Sequence, residues 1–314
     1  MSKTFYQMTD CKDGAGGAGA WIPADYFVDL VLEGVVAYGD LSGRACTIAL
    51  DLAAGNGDNV NVRTVTKRSH TNSCITCGEC LSSTSNTFGD VAISVCQYGD
   101  YDKIAAYADW QAQGDIVKQV AKEMSKRMAN TRDTLLWTAL CAATPNTTLT
   151  LQTAWSPTRL AISSSCCSFG FDIYNTIVDA RQHLMGDGYE PDYVLIHPYV
   201  SAYLYYKEGA GGNAYPFQQM PLLKFGSDGY LASVAGLKVI EVRVAVADDS
   251  SPSDTGDELA FVIDSRRALA EVWGMRPKFY EDFDVDCNAT ELVLWNYWGC
   301  DTVDDNAIVE INSP

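Results

Sequence analysis

From Asp115 to Cys141 the chain runs DIVKQVAKEMSKRMANTRDTLLWTALC without a single Gly or Pro. Ile116, Val120, Met124 and Met128 recur every four residues, and Leu135 and Ala139 resume the stripe beyond the polar Asn130-Thr131-Arg132. This spacing predicts a helix with one buried face. Asp115 suits the N-cap, where its carboxylate accepts the first free backbone N–H groups. About 25 helical residues rise roughly 40 Å, at 1.5 Å each. That exceeds an ordinary domain core, so the rest of the fold must supply an apolar surface along much of this length.

The sequence on either side is strand-rich. Asn59 to Thr66 alternates strictly polar and apolar behind the turn signal Gly55-Asn56-Gly57-Asp58, and Val91 to Val95 reads as a returning strand. The polar stretch Ser69 to Asn86 between them makes this pair an extended hairpin with a long tip. It has too little apolar sequence to be a domain of its own. Residues 1–20 are small, polar and glycine-rich, as a flexible arm would be. The run from Trp21 to Leu41 suits a short amphipathic helix, weakened by Gly34.

Beyond the long helix comes a Thr/Ser-rich interval, Thr144 to Ser165, and then a second amphipathic helix, Phe171 to Met185, stopped by Gly186-Asp187-Gly188. Tyr193 to Ile196 is a short buried strand, His197-Pro198 turns it, and Tyr199 to Lys207 reads as a third helix. Strands are expected at Leu237–Val244, Leu259–Ile263, Glu271–Trp273, Lys278–Val285, Thr290–Trp298 and Ala307–Ile311.

Composition removes several classes of function. With 314 residues and 47% hydrophobic content, the chain can bury a large core and is not disordered over most of its length. Forty acidic against 22 basic residues give a net charge of −18, which argues against a surface built to grip phosphates. No stretch approaches the roughly 18 apolar residues of a membrane span, and the N-terminus lacks the apolar core of a signal peptide, so a cytoplasmic start is expected. Eleven cysteines are many for a reducing compartment, and an odd number cannot all pair within one chain.

The chemistry-bearing motif is Cys74-x-x-Cys77-x-x-Cys80 with His70 four residues before it. Three thiolates and an imidazole form an accepted zinc set. The same spacing begins iron–sulfur motifs, but Thr84 replaces any nearby fourth cysteine. Disulfides to a neighbouring chain and plain reduced thiols are the alternatives. A metal-binding redox protein using His70, Cys74, Cys77 and Cys80 is therefore one hypothesis.

Other catalytic signals are poor. His197 reads as a local hydrogen-bonding residue and His183 as solvated, and no nucleophile elbow, P-loop or dinucleotide fingerprint is present. Glu281, Asp282, Asp284 and Asp286 alternate with Phe283 and Val285 as an acidic strand would, without the glycine turn of a calcium loop. No catalytic residue and no cofactor are expected.

The order of the pieces is the informative feature. Gly57 to Arg63, Ala92 to Gly99 with Lys103-Ile104-Ala105, Ala121 to Leu140, Asp192 to Pro198 and Val234 to Ile240 follow one another as in major capsid proteins of tailed double-stranded DNA viruses. The chain resembles this Hong Kong 97-like family over nearly its whole length. The resemblance implies an α+β fold with an N-terminal arm (1–55), an extended hairpin loop (56–105), a peripheral domain with a spine helix (106–143 and 258–314) and an axial domain (144–257). It implies no enzyme activity and no membrane. Its own copies would be the main partner, forming hexamers and pentamers of an icosahedral shell around DNA held without sequence-specific binding.

The resemblance further implies a portal, possible decoration proteins, and assembly in the host cytoplasm. Scaffolding is expected from a separate protein, since no long helical segment precedes the arm. An encapsulin-type compartment is the related alternative. On the spine helix, Lys118, Lys122, Lys126 and Arg127 are expected to face away from the sheet, either solvated or toward acidic neighbours or the genome.

Overall fold

The computed structural model describes residues 41, 44–46, 48–51, 59–65, 88–105, 116–151, 164–198, 200–201, 232–243, 258–285 and 287–313. These residues form two helices and three sheets. The strands are β1 (Ile48–Asp51), β2 (Asn59–Val65), β3 (Phe88–Ser94), β4 (Cys96–Ala105), β5 (Thr147–Thr150), β6 (Tyr193–Ile196), β7 (Ala232–Val234), β8 (Leu237–Glu241), β9 (Glu258–Ile263), β10 (Leu269–Asp284), β11 (Ala289–Thr302) and β12 (Ile308–Asn312). The helices are α1 (Ile116–Cys141) and α2 (Ser164–Gly186). The architecture is mixed helix and strand, mostly sheet.

The uninterrupted stretch is one 26-residue helix, α1. Its buried face serves two sheets in succession. Ala121, Met124, Met128 and Ala129 pack on Leu292 and Leu294 of the four-stranded sheet, whose order is β1-β10-β11-β4. About two turns further on, Leu136, Trp137 and Leu140 join the main core of the six-stranded sheet, ordered β5-β12-β9-β6-β8-β7. Trp137 meets Phe261 of β9 edge to face at 5.2 Å. The helix thus ties the two sheets together, which accounts for its length.

The polar interruption predicted at Asn130-Thr131-Arg132 resolves differently by residue. Asn130 and Thr131 are exposed, whereas Arg132 and Asp133 are buried. The helix therefore carries two charges into the junction between its two apolar segments.

The second helix, α2, begins earlier than its periodicity suggested and lays Ile173, Ile177, Ala180 and Leu184 in the main core. It ends where Gly188 takes φ 76°, letting the Tyr189 N–H donate to the Leu184 carbonyl at 2.9 Å.

Strand boundaries differ in four places. The two strands expected at Glu271–Trp273 and Lys278–Val285 are one 16-residue strand, β10, with irregularities between Trp273, Met275 and Lys278 around Gly274 and Pro277. A bulge lets a proline sit within a sheet without removing a ladder bond. The strand expected to reach Val244 ends at Glu241. The Thr/Ser-rich interval contains β5, parallel to β12. The fourth is β4, ten residues paired antiparallel to β11 from Trp298↔Cys96 to Ala289↔Ala105. The Asp115 cap, the arm, residues 21–40 of the expected first helix, the segment 202–207 and the loops at 209–229 and 247–257 lie outside the described residues.

Candidate assembly interface

The four-stranded sheet has a helix on one face and a hairpin on part of the other. Along β11, Leu292, Leu294, Asn296 and Trp298 are buried on the helix side. Pleating sends Val293, Trp295, Tyr297 and Gly299 to the opposite, outer side. In β4, Asp100 and Asp102 point to the helix, where Arg127 donates to them at 2.9 and 2.8 Å. Arg127 was expected to face away from the sheet. It is instead clasped to it, while Lys122 is exposed and Lys126 pairs with Glu123 at 2.7 Å.

Deeper on the same side, Arg132 donates to Glu271 at 2.6 Å, with both side chains under a tenth exposed. The guanidinium stacks 4.5 Å from the Trp273 ring and 5.2 Å from that of Trp298. The neighbouring Asp133 accepts from the Leu41 N–H at 3.1 Å, and the Leu41 carbonyl accepts from the N–H groups of Arg44, Ala45 and Cys46. Two consecutive buried charges therefore fix β10 and the chain just before β1 to the same turn of α1.

Among the described residues the outer face is covered at one end. Strands β2 and β3 pair with each other, Asn59↔Ser94 through Val65↔Phe88, and form a separate two-stranded sheet. Asn59, Asn61, Arg63, Asp90, Ala92 and Ser94 face solvent. Val60, Val62, Val91 and Ile93 turn toward Ala270, Val272, Ile48 and Leu50, and only Ile93 of the four is fully buried. The hairpin crosses β11 at Gly299, where a Cβ would stand 2.1 Å from the Ser94 carbonyl oxygen. No residue with a side chain fits that crossing without a shift.

Beyond this crossing nothing among the described residues covers the outer face. Tyr280, Val293 and Tyr101 stand in register across β10, β11 and β4. Tyr101 and Tyr280 are each 53% exposed and Trp295 is 38% exposed. The Trp295 ring lies over Gly99, 2.5 Å from where a Cβ would sit, so the glycine makes room for the indole. Phe283, in register with Thr290, lies on the helix side of the sheet with Phe279 and is not part of this surface.

One edge of the patch is polar and internally satisfied. Lys103 bonds Asp284 and reaches Glu291 at 3.2 Å, and the Tyr101 hydroxyl donates to Glu291 at 2.7 Å. The bond to Asp284 holds the Lys103 ammonium above the usual lysine range, and the same bond holds the Asp284 carboxyl well below the usual carboxylate range.

Sequence reasoning singled out other residues. His70, Cys74, Cys77 and Cys80 lie outside the described residues. Among the described residues no group of three or more His, Cys, Asp or Glu side chains is placed to hold a metal, and Cys46, Cys96, Cys287 and Cys300 are thiols outside any disulfide. Burial pushes the Cys46 thiol well up, and burial with Asp301 and Glu271 pushes Cys300 up to about 12. Neither is an activated nucleophile.

His197 is buried, its N–H donating to the Leu259 carbonyl, and His183 is exposed on the last turn of α2. Of the acidic run, Asp284 belongs to the Lys103 cluster and the strand spans Glu281 to Asp284. The outer aromatic face had not been singled out. Its signal is the run Leu292-Val293-Leu294-Trp295, apolar at consecutive positions where a strand with one wet face would alternate.

Residues 100–294 match the phage capsid protein family. The chain belongs to that family. It is a major capsid protein, a structural subunit and not an enzyme. Its fold is that of solved capsids. It matches the capsid of an empty GTA particle with TM-score 0.61 and 11% identity over 88% of this chain and 90% of the other. The capsid of Cyanophage P-SCSP1u gives 0.58 and 14%, over 85% and 86%. A virus-like particle from Pyrococcus furiosus gives 0.59 and 11%, over 92% and 98%. No curated protein matches the sequence. Among the described residues of the capsid protein, no helix is long and apolar enough to cross a membrane.

Proposed function

We propose that this capsid protein assembles as hexamers and pentamers into an icosahedral shell that encloses double-stranded DNA in a tailed phage. The observation that carries this is the hairpin, a two-stranded ribbon paired only within itself and seated by one end on the body. An isolated ribbon is marginal in water, so its remaining surface favours contact with other copies. In this reading residues 56–105 are the extended loop, 106–143 with 258–314 the peripheral domain, 144–257 the axial domain and 1–55 the arm. A separate scaffolding protein and a portal, with decoration proteins as candidate further partners, complete the assembly, which takes place in the host cytoplasm.

Co-expression with the scaffolding protein, followed by sedimentation and negative-stain microscopy, tests the proposal. Closed megadalton particles are expected, and protein that stays monomeric throughout overturns it. Nuclease-protected DNA in particles matured with their portal separates a virion shell from an encapsulin-type compartment. His70, Cys74, Cys77 and Cys80 are the candidates for reinforcing the shell. Stoichiometric zinc on elemental analysis assigns them to a metal, and reductant-sensitive ladders on gels assign them to inter-subunit disulfides.

A further inference from the structure

We draw no further inference here: the strongest candidate, the two buried N–H donors Arg132 Nε and Trp298 Nε1 where α1 packs on the four-stranded sheet, belongs to the Arg132–Glu271 site already described, and nothing among the described residues shows what class of acceptor the two donors would take.

Discussion

Arg132 and Glu271 form an ion pair where water is excluded, between two indole rings. Removing one partner of such a pair leaves the other charge buried and unmatched, at a cost of about 3–5 kcal/mol. Arg132→Met should lower stability by about that amount in urea unfolding, and adding Glu271→Leu should recover much of the loss. Recovery would show that the penalty lies in the stranded carboxylate more than in lost attraction.

At the exposed rim the balance depends on pH. Asp284 is depressed by its bond to Lys103, so its contribution to stability is complete above the ordinary carboxylate value, about pH 4, and is lost as pH falls through the depressed one. Lys103 is raised, so its contribution is complete below the ordinary lysine value, about pH 10.4, and is lost as pH rises through the raised one. Between roughly pH 4 and 10 the pair is fully formed. In Lys103→Met the Asp284 carboxyl, followed by carbon-detected NMR, should titrate higher than in the unchanged protein, while the Cys287 N–H still holds it somewhat below the ordinary carboxylate range. An Asp284 midpoint unchanged by the substitution would show that Lys103 is not the cause.

At the scale of elements, what the sequence disclosed depended on whether one segment held its own pattern. Helix α1 is legible because its periodicity is local and unbroken, and the β2–β3 hairpin because polar and apolar residues alternate on both strands. Strand β4, CQYGDYDKIA, is not legible. Its glycine and its two helix-facing aspartates oppose strand propensity, and it is a strand because β11 pairs with it over ten residues and Arg127 meets Asp100 and Asp102. Strand β10 looked like two because Gly274 and Pro277 interrupt its propensity, while β11 holds it in one ladder through the irregularities. The outer aromatic site was hidden for a similar reason, since Tyr101, Tyr280 and Trp295 come together only when three distant strands align.

The crossing of the hairpin over β11 gives the element-scale test. Gly299→Ala places a methyl group against backbone, which cannot swing aside as a side chain can. It should cost about 1–3 kcal/mol and raise amide exchange in β2 and β3 while sparing the six-stranded sheet. Uniform acceleration of exchange across both sheets would show that the crossing is not a local contact.

For the whole molecule, the net charge of −18 sets a long-range repulsion between copies. The screening length is about 10 Å at 0.1 M salt and about 30 Å at 0.01 M. Assembly with scaffold, followed by light scattering, should therefore start at lower protein concentration as salt rises over this range. A threshold that rises with salt would show instead that attraction between opposite charges dominates the contacts. The six-stranded sheet and α2 hold the main core, so the two ends of α1 serve different sheets: one is locked into that core, the other packs on the four-stranded sheet.

The seating of the hairpin by one end has a mechanical consequence. Seven residues per strand make a cantilever of about 23 Å at 3.3 Å per residue. A rotation of about 10° at the Gly299 fulcrum would sweep its far end through roughly 4 Å, on the order of one strand spacing. Small adjustments in how β3 rests on β11 are thereby geared up into displacements large enough to exchange one set of neighbouring side chains for another.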